Sequence, residues 1–438
     1  MLQPDIDDSL QQWLAWLEHL HPVEIELGLE RVAAVARRAN LTQGLPPVVT
    51  VAGTNGKGSV VAVISAIYTA AGYKTGAYTS PHLVHFNERI RIDGQCAADS
   101  EITAALAFVD RHREPESLTY FESTTLAAMR VFLQADVDIV VLEVGLGGRL
   151  DAVNIWDTHC AVVTSIAIDH ESWLGSDRNT IAAEKAAIAR QGRPLIVAET
   201  DPPESLLAAA QTLQDNYWQV GVDYQYDMTG PGDNWQVRTP VREHNLASLS
   251  LPGVHQFGNC AAAIAAIDAL NHQLPVPASV ISQTVTNVGV VGRLDRYTEG
   301  GVEILLDVAH NPAAARVLAY ELDSLRSTSA VSRVHAVFAV MADKDVAQII
   351  AAVAPGVDTW HCGQLAVGRA LSAEALASQL QTSGETDVFT YASVPDALQG
   401  ARDLARHQPE AENRNTDLVL VFGSFFTVSE VLSLRESN

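Results

Sequence analysis

Val48-Val49-Thr50-Val51-Ala52 runs directly into Gly53-Thr54-Asn55-Gly56-Lys57-Gly58-Ser59 and then into a helical stretch over residues 60–71. A β-branched run, a glycine turn and a helix in that order specify a strand–loop–helix unit, which needs a parallel sheet with helices on its faces. Glycines let the loop's N–H groups turn inward, the helix N-terminus adds the positive end of its dipole, and Lys57 supplies a mobile cation. The loop is therefore built to cradle phosphate. The strict Walker pattern has glycine where Val51 stands and a hydroxyl where Gly58 stands; here the hydroxyl comes one place later, at Ser59. The plainer alternative, a glycine turn that merely caps a helix, is disfavoured by the strand before it and the helix after it.

Further strand-like runs alternate with Ala-rich helical stretches, so the fold class is α/β. They lie at 47–52, 137–144, 160–168 and 194–198, and again at 302–308, 334–340 and 418–422. With 438 residues the chain exceeds one ordinary core. The alternation lapses between 217 and 251, and a new series starts after Gly292, which predicts domains at 1–292 and 293–438. The polar stretches 228–235 and 408–416 read as surface loops. At 47% hydrophobic and 18% charged residues, with no apolar run near membrane-spanning length, a membrane protein is not expected. The start, Met1-Leu2-Gln3-Pro4 followed by Asp5, Asp7 and Asp8, does not resemble a secretory signal. Cys96, Cys160, Cys260 and Cys362 form no CxxC pair, which fits a reducing cytoplasm. A formal charge of −24 argues against general nucleic-acid binding and means that anionic substrates must be captured by specific donors.

Ligands of open α/β sheets gather beyond the carboxyl ends of the strands. Glu143 ends the second run, Asp169 and His170 end the third, and Ser80 follows the strand-like 75–79. One carboxylate, a hydroxyl and an imidazole suit Mg²⁺ that bridges ATP phosphates and keeps several waters. Glu143 alone would read as a charge surfacing at a strand end; the glycine loop and the GLGGR run at 145–149 favour a functional reading. Asp307 and His310, and Asp343, Lys344 and Asp345, also follow strands, where helix capping is an equal explanation. Lys185, in the helical run 179–190, reads by itself as a solvated lysine.

These segments together resemble the folylpolyglutamate synthase and dihydrofolate synthase branch of the Mur ligase superfamily. The likeness rests on AGTNGKGSV (52–60), YTSPHLVHFNERI (78–90), LEVGLGGRLDAVNI (142–155), TSIAIDH (164–170), EKAAI (184–188), LDVAHNP (306–312), ADKD (342–345) and VFGSFFTV (421–428). It covers nearly the whole chain. It implies a Mur ligase central-type ATP-binding domain that includes a pterin site, a smaller Rossmann-like C-terminal domain, and catalysis in the cleft between them. ATP phosphates would be bound by Thr54, Asn55, Gly56, Lys57, Gly58 and Ser59, with Asn259, Arg293 and Asp307 completing the site. Ser80, Glu143 and His170 would hold magnesium, two ions being expected, and a monovalent cation is a further candidate. His310 is assigned to the closed active site. Lys185 matches a lysine that the family carries as a carbamate; a carbamate needs a neutral amine, so this predicts a partly buried lysine with a lowered pKa.

IELGLERV (25–32), LTYFEST (118–124) and Leu150-Asp151-Ala152 resemble pterin-site segments of bifunctional bacterial members. Glu26, Leu27, Thr119, Tyr120, Phe121, Glu122, Leu150, Asp151 and Ala152 are then the pteroate-binding candidates. At position 26 the related pattern has aspartate, and the extra methylene of Glu26 shifts the reach of its carboxylate. The implied reaction adds L-glutamate to dihydropteroate and to tetrahydrofolate through an acyl phosphate, in a cytoplasmic monomer, with domain closure keeping water from the intermediate. Two rivals remain beside it, apart from an enzyme that only extends the tail. One is a Mur-type ligase acting on a UDP-linked precursor, which the LDAVNI and TYFE segments oppose; the other is a nucleotide switch without ligase activity.

Overall fold

The computed structural model describes residues 3–5, 7–213, 216–228, 234–328, 331–406 and 416–437. Most of the two polar stretches at 228–235 and 408–416, and Met1 and Leu2, lie outside the described residues. The chain separates into two compact units, one formed by Met1–Leu251 and Gln256–Gly289 and the other by Pro252–His255 and Val290–Asn438. No described helix is long and apolar enough to cross a membrane.

The first unit is built on β1 (Val48–Ala52), β2 (Thr75–Tyr78), β3 (Ile90–Ile92), β4 (Gln95–Cys96), β5 (Ile139–Glu143), β6 (Cys160–Val163), β7 (Leu195–Val197) and β8 (Tyr217–Gln219). Their order across the sheet is β4-β3-β2-β5-β1-β6-β7-β8. Six strands run parallel, and β3 and β4 extend one edge antiparallel. β1 is buried along its whole length, as a central parallel strand covered on both faces must be. It lies between β5 and β6, with Val51 beside Glu143 and Ala52 beside Val163. The loops leaving three neighbouring strands therefore start at one edge of the sheet, where a site is expected.

Two N-terminal helices, Leu10–Leu20 and Glu30–Arg38, lie outside this sheet. Ser9 and Gln12 form a capping box that starts the first. Trp13, Trp16 and Leu17, with Val32, Val35 and Ala36 from the second, are buried, and both helices pack against Asp99–Arg113 and Tyr120–Ala135. The stretch in which the strand–helix alternation lapses forms a small antiparallel sheet of β9 (Gln225–Met228), β10 (Trp235–Arg238) and β11 (Glu243–Leu246). Trp235 anchors it edge-on to Phe257 at 5.1 Å between ring centroids. Four-residue strands, the outermost largely exposed, carry too little apolar alternation to be read from sequence.

The second unit is a six-stranded sheet in the order β12-β13-β17-β14-β15-β16. Its strands are β12 (Asp295–Glu299), β13 (Val302–Leu306), β14 (Val331–Phe338), β15 (Thr359–Gly363), β16 (Val388–Tyr391) and β17 (Thr416–Phe422). Only β12 is antiparallel to its neighbour. Phe338 and Phe422, from adjacent strands, stack at 4.5 Å and 5° beside Trp360, and these rings centre the core. The α/β class with parallel sheets expected from the sequence is what the chain adopts.

Candidate active site

Gly53 leaves β1 at φ +148° and Gly56 adopts φ +91°, immediately before the helix Lys57–Ala70. Both conformations suit glycine, and space reinforces the requirement. A Cβ on Gly53 would overlap Thr164 Oγ1, and one on Gly56 would overlap the amide of Asn259. The segment after β6 braces the loop. Thr54 N–H donates to Ser165 O at 2.7 Å, Ala167 N–H donates to Thr54 Oγ1 at 3.0 Å, and Thr164 Oγ1 donates to Asn55 O at 2.7 Å. This is why β6 stops at Val163 when the strand-like run continues to Ile168: beyond Thr164, whose N–H still donates to Ala52 O, the backbone bonds to the loop. Lys57 Nζ lies over the loop, donating to Gly53 O at 3.0 Å and Thr54 O at 3.1 Å. The loop residues Thr54 to Ser59 are thus held as one unit with Asn259 against them.

Glu143, buried at the end of β5, accepts the Ser80 N–H on Oε2 at 3.2 Å. The same oxygen lies 3.7 Å from where a Gly58 Cβ would stand, so the carboxylate sits at the first turn of the loop helix. His170 begins the short helix Glu171–Leu174 at φ +53°, and its N–H donates to Asp169 Oδ1 at 2.8 Å. Among the described residues no three His, Cys, Asp or Glu side chains cluster as metal ligands. Glu143 and Ser80 are brought together in the way their positions after neighbouring strands suggest.

Lys185 projects from the helix Arg178–Ala186 and is only 5% exposed. Burial, reinforced by the nearby charge of Lys57, lowers its pKa to about 7, against the attraction of Asp169, Asp151 and Glu184. It is a buried amine that is largely able to shed its proton, and not the solvated helix lysine that its position alone suggests. The GLGGR turn presses on the same helix: a Cβ on Gly148 would stand 2.6 Å from Glu184 O. Asp151 closes that turn by accepting Leu146 N–H at 2.8 Å and Val153 N–H at 3.0 Å, and burial pushes its pKa up to about 6.

The pteroate candidates form a connected group. Phe121 packs against the exit of β5, where a Gly145 Cβ would be 2.6 Å from its ring, and lies 6.0 Å from the Tyr78 ring. Tyr120 is edge-on to Phe86 at 6.2 Å beneath the Arg89 guanidinium. Thr119 caps the helix Tyr120–Ala135 and its N–H donates to Glu122 Oε2 at 2.8 Å. Leu27 and Leu150 are half-buried, and Ala152 is buried at the start of a short helical turn. Glu26 meets the guanidinium of Arg31 and, at 2.8 Å, Nε2 of His21, and these partners lower its pKa. Arg31 also donates to Glu122 Oε1 at 3.0 Å. Sequence pattern singles out neither Arg31 nor His21; an arginine in the first turn of a helix, as Arg31 is, ordinarily faces solvent.

In the second unit, Asp307 accepts Leu294 N–H at 2.9 Å and Ala309 N–H at 2.8 Å. Burial raises its pKa despite the nearby Arg293. The carboxylate braces the turn that carries Arg293. That guanidinium lies 5.1 Å over the Phe425 ring, with His310 5.9 Å from the same ring. His310 Nδ1 donates to Val308 O at 2.8 Å, which fixes that nitrogen as protonated. Phe425, in the VFGSFFTV segment, organises this group and was not named from sequence. Asp345 is the N-cap of the helix Val346–Val353, so the capping explanation applies to it.

Residues 51–267 match the Mur ligase middle domain and residues 292–425 the Mur ligase glutamate ligase domain. The dihydrofolate synthase/folylpolyglutamate synthase of Escherichia coli strain K12 is 41% identical over 99% of this chain and 97% of its own length. This chain belongs to the dihydrofolate synthase/folylpolyglutamate synthase family of Mur-type ligases. Among solved members, E. coli FolC in complex with DHPP and ADP superposes with a TM-score of 0.89 at 39% identity, covering 99% of both chains. The bifunctional folylpolyglutamate synthase/dihydrofolate synthase of Yersinia pestis, complexed with AMPPNP and Mn ion, gives 0.88 at 38% identity over 99% of this chain and 100% of its own.

The shape of the loop depends on Gly53, so Gly53→Ala is expected to weaken ATP binding at least about tenfold, because the new methyl displaces Thr164. Trimming the obstruction in the double variant Gly53→Ala, Thr164→Ala should recover part of that loss, as measured by nucleotide titration calorimetry. Equal affinities for the single variant and the parent would contradict the loop–Thr164 contact as the constraint.

Proposed function

We propose that this chain joins L-glutamate to dihydropteroate, forming dihydrofolate, and to the γ-carboxylate of tetrahydrofolate, extending a polyglutamate tail. The observation that carries this reading is the grouping, in one unit, of the Lys57 loop, the Glu143–Ser80 pair and buried Lys185 with the Glu26–Arg31–Glu122 group. Amide synthesis requires an activated carboxylate and a neutral amine. ATP meets the first need. The loop N–H groups and Lys57 would hold its phosphates while the γ-phosphoryl group passes to the substrate carboxylate, a step catalysed mainly by positioning and charge neutralisation. The deprotonated glutamate amine then attacks the acyl phosphate and phosphate departs.

Ser80, Glu143 and His170 are the proposed holders of Mg²⁺. Buried Glu143 beside the loop helix suits a hard cation that takes one protein carboxylate and otherwise phosphate and water oxygens. When bound, such an ion neutralises the charge that develops on the transferring phosphoryl group. A second ion and a monovalent cation are further requirements suggested by the family resemblance. Asn259 would complete ATP binding within the first unit; Arg293, Asp307 and His310 are proposed to contribute from a C-terminal domain over 293–438, with the ATP and pteroate sites within 1–292. Four free cysteines, one exposed, agree with a reducing cytoplasm, and a monomer is the proposed state.

Lys185 is proposed to carry a carbamate. Its burial and its pKa of about 7 supply the neutral amine that attacks CO₂, the N–C bond forming as the amine loses a proton, and neutral amine increases as pH rises through that value. Isotopically labelled bicarbonate should therefore give one protein-bound carbamate resonance that strengthens as pH rises through about 7 and is missing from Lys185→Gln. The same spectrum from the variant would place the carbamate elsewhere.

The reading is tested by ADP release with ATP, Mg²⁺ and glutamate, comparing dihydropteroate and tetrahydrofolate as acceptors and identifying products by mass. Turnover of both is expected, and Lys57→Ala should lose at least about 10²-fold in kcat while keeping the parent's thermal unfolding. Activity with tetrahydrofolate alone would leave tail extension only. Activity with neither would favour a Mur-type ligase for another acceptor, and glutamate-independent hydrolysis a nucleotide switch.

A further inference from the structure

Arg31 lies between two carboxylates assigned above to pteroate binding and itself belongs to no assigned site. One guanidinium nitrogen pairs with Glu26 Oε1; the other donates to Glu122 Oε1 at 3.0 Å and to Glu26 O at 3.0 Å. The remaining carboxylate oxygens are also held: Glu122 Oε2 accepts Thr119 N–H at 2.8 Å, and Glu26 Oε2 lies 2.8 Å from His21 Nε2. His21 is anchored in turn, its Nδ1 lying 2.9 Å from Ser117 Oγ. One fork thus ties the segment 21–31 to the segment 117–122.

The two carboxylates differ in what they need from that fork. The Glu122 side chain is 5% exposed, and a buried carboxylate without a counter-charge is costly, so Arg31 neutralises it. The Glu26 side chain is 47% exposed, so its charge needs no such help. What Arg31 and His21 give Glu26 is a fixed orientation. An ionised carboxylate has about four acceptor positions, and with one partner on each oxygen, outward-facing positions remain for a ligand. Glutamate has one more rotatable bond than aspartate, and clamping both oxygens removes the added freedom before a ligand arrives, which favours affinity. The chemistry that suits such an acceptor is a ring edge with adjacent N–H donors, as on the aminopyrimidinone end of a pterin.

We propose that Arg31 is a positioning residue for dihydropteroate, presenting Glu26 to the pterin ring while neutralising Glu122, and that it has little part in the tail-extending reaction. The inference rests on the reading of 26–27, 119–122 and 150–152 as a pteroate site, and it deepens that reading by naming what holds the site in register. It also accounts for a glutamate at position 26: the clamp, more than side-chain length, sets where the acceptor ends.

The test is steady-state kinetics of the full-length enzyme with each acceptor, for Arg31→Met and Arg31→Lys, alongside thermal unfolding. Lysine keeps a positive charge beside Glu122 but cannot fork to two carboxylates, so it separates positioning from charge balance if the methionine variant folds poorly. The expected result for Arg31→Lys is a KM for dihydropteroate raised about tenfold or more, kcat within about twofold, and unchanged tetrahydrofolate kinetics. Arg31→Met should show the same pattern with a larger KM effect. A parallel fall in both activities with a lower unfolding temperature for both variants would make Arg31 merely structural and overturn the proposal. A dihydropteroate KM equal to the parent's in Arg31→Lys would overturn it alone, leaving the proposed function intact. A parent enzyme that does not use dihydropteroate would instead overturn the site reading, and the positioning role with it.

Discussion

The contact of Gly53 with Thr164 is the constraint on which the first unit's chemistry depends. β1 can lead into the glycine loop only if the chain turns sharply after Ala52, and the turn is held by a neighbouring segment that has given up strand pairing to bond to it. A side chain at Gly53 would push the two apart, and one at Gly56 would displace Asn259. The loop, the residues beyond β6 and the helix His255–Ala269 are therefore mutually dependent, although they lie far apart in sequence. The parallel order β5-β1-β6 makes this possible, because it aligns three strand ends at one edge.

The electrostatics of the unit follow from that alignment. Lys57 and Lys185 are close enough to repel, and in a buried setting that repulsion and desolvation act in the same direction on Lys185. Asp151 and Asp169 oppose them. The cation beside the glycine loop is Lys57, while the segments at 21–31 and 117–122 have their carboxylates balanced by Arg31 and His21. These are separate local networks, so net charge says little about the proposed anion capture and pterin recognition.

Much of this was legible in the sequence. The loop, the carboxylate after β5 and the α/β class follow from composition and order, because β-branched runs and glycine turns act locally. The small sheet at β9–β11 did not show, since its strands are short and partly exposed and its stability comes from Trp235 meeting Phe257, a contact invisible to local pattern. The early end of β6 was hidden for the opposite reason: 160–168 is strand-like apart from Thr164 and Ser165, and the tertiary bonds to Thr54 and Asn55 divert it. Helical periodicity reads Lys185 as solvated, because it does not tell that its face lies against the GLGGR turn; the family resemblance alone predicted the buried amine with a lowered pKa. Arg31 needed the fold, since its two carboxylate partners, Glu26 and Glu122, lie far apart in sequence.

The central proposal is that ATP, held by the loop, phosphorylates a substrate carboxylate before glutamate attacks. Dihydropteroate with heavy oxygen in its carboxylate, incubated with ATP, Mg²⁺ and glutamate, tests this most directly by mass analysis of the released phosphate. An acyl phosphate transfers one carboxylate oxygen to phosphate at each turnover, so heavy oxygen should appear in inorganic phosphate in proportion to dihydrofolate formed. Phosphate free of the label, or formation of AMP in place of ADP, would contradict the account.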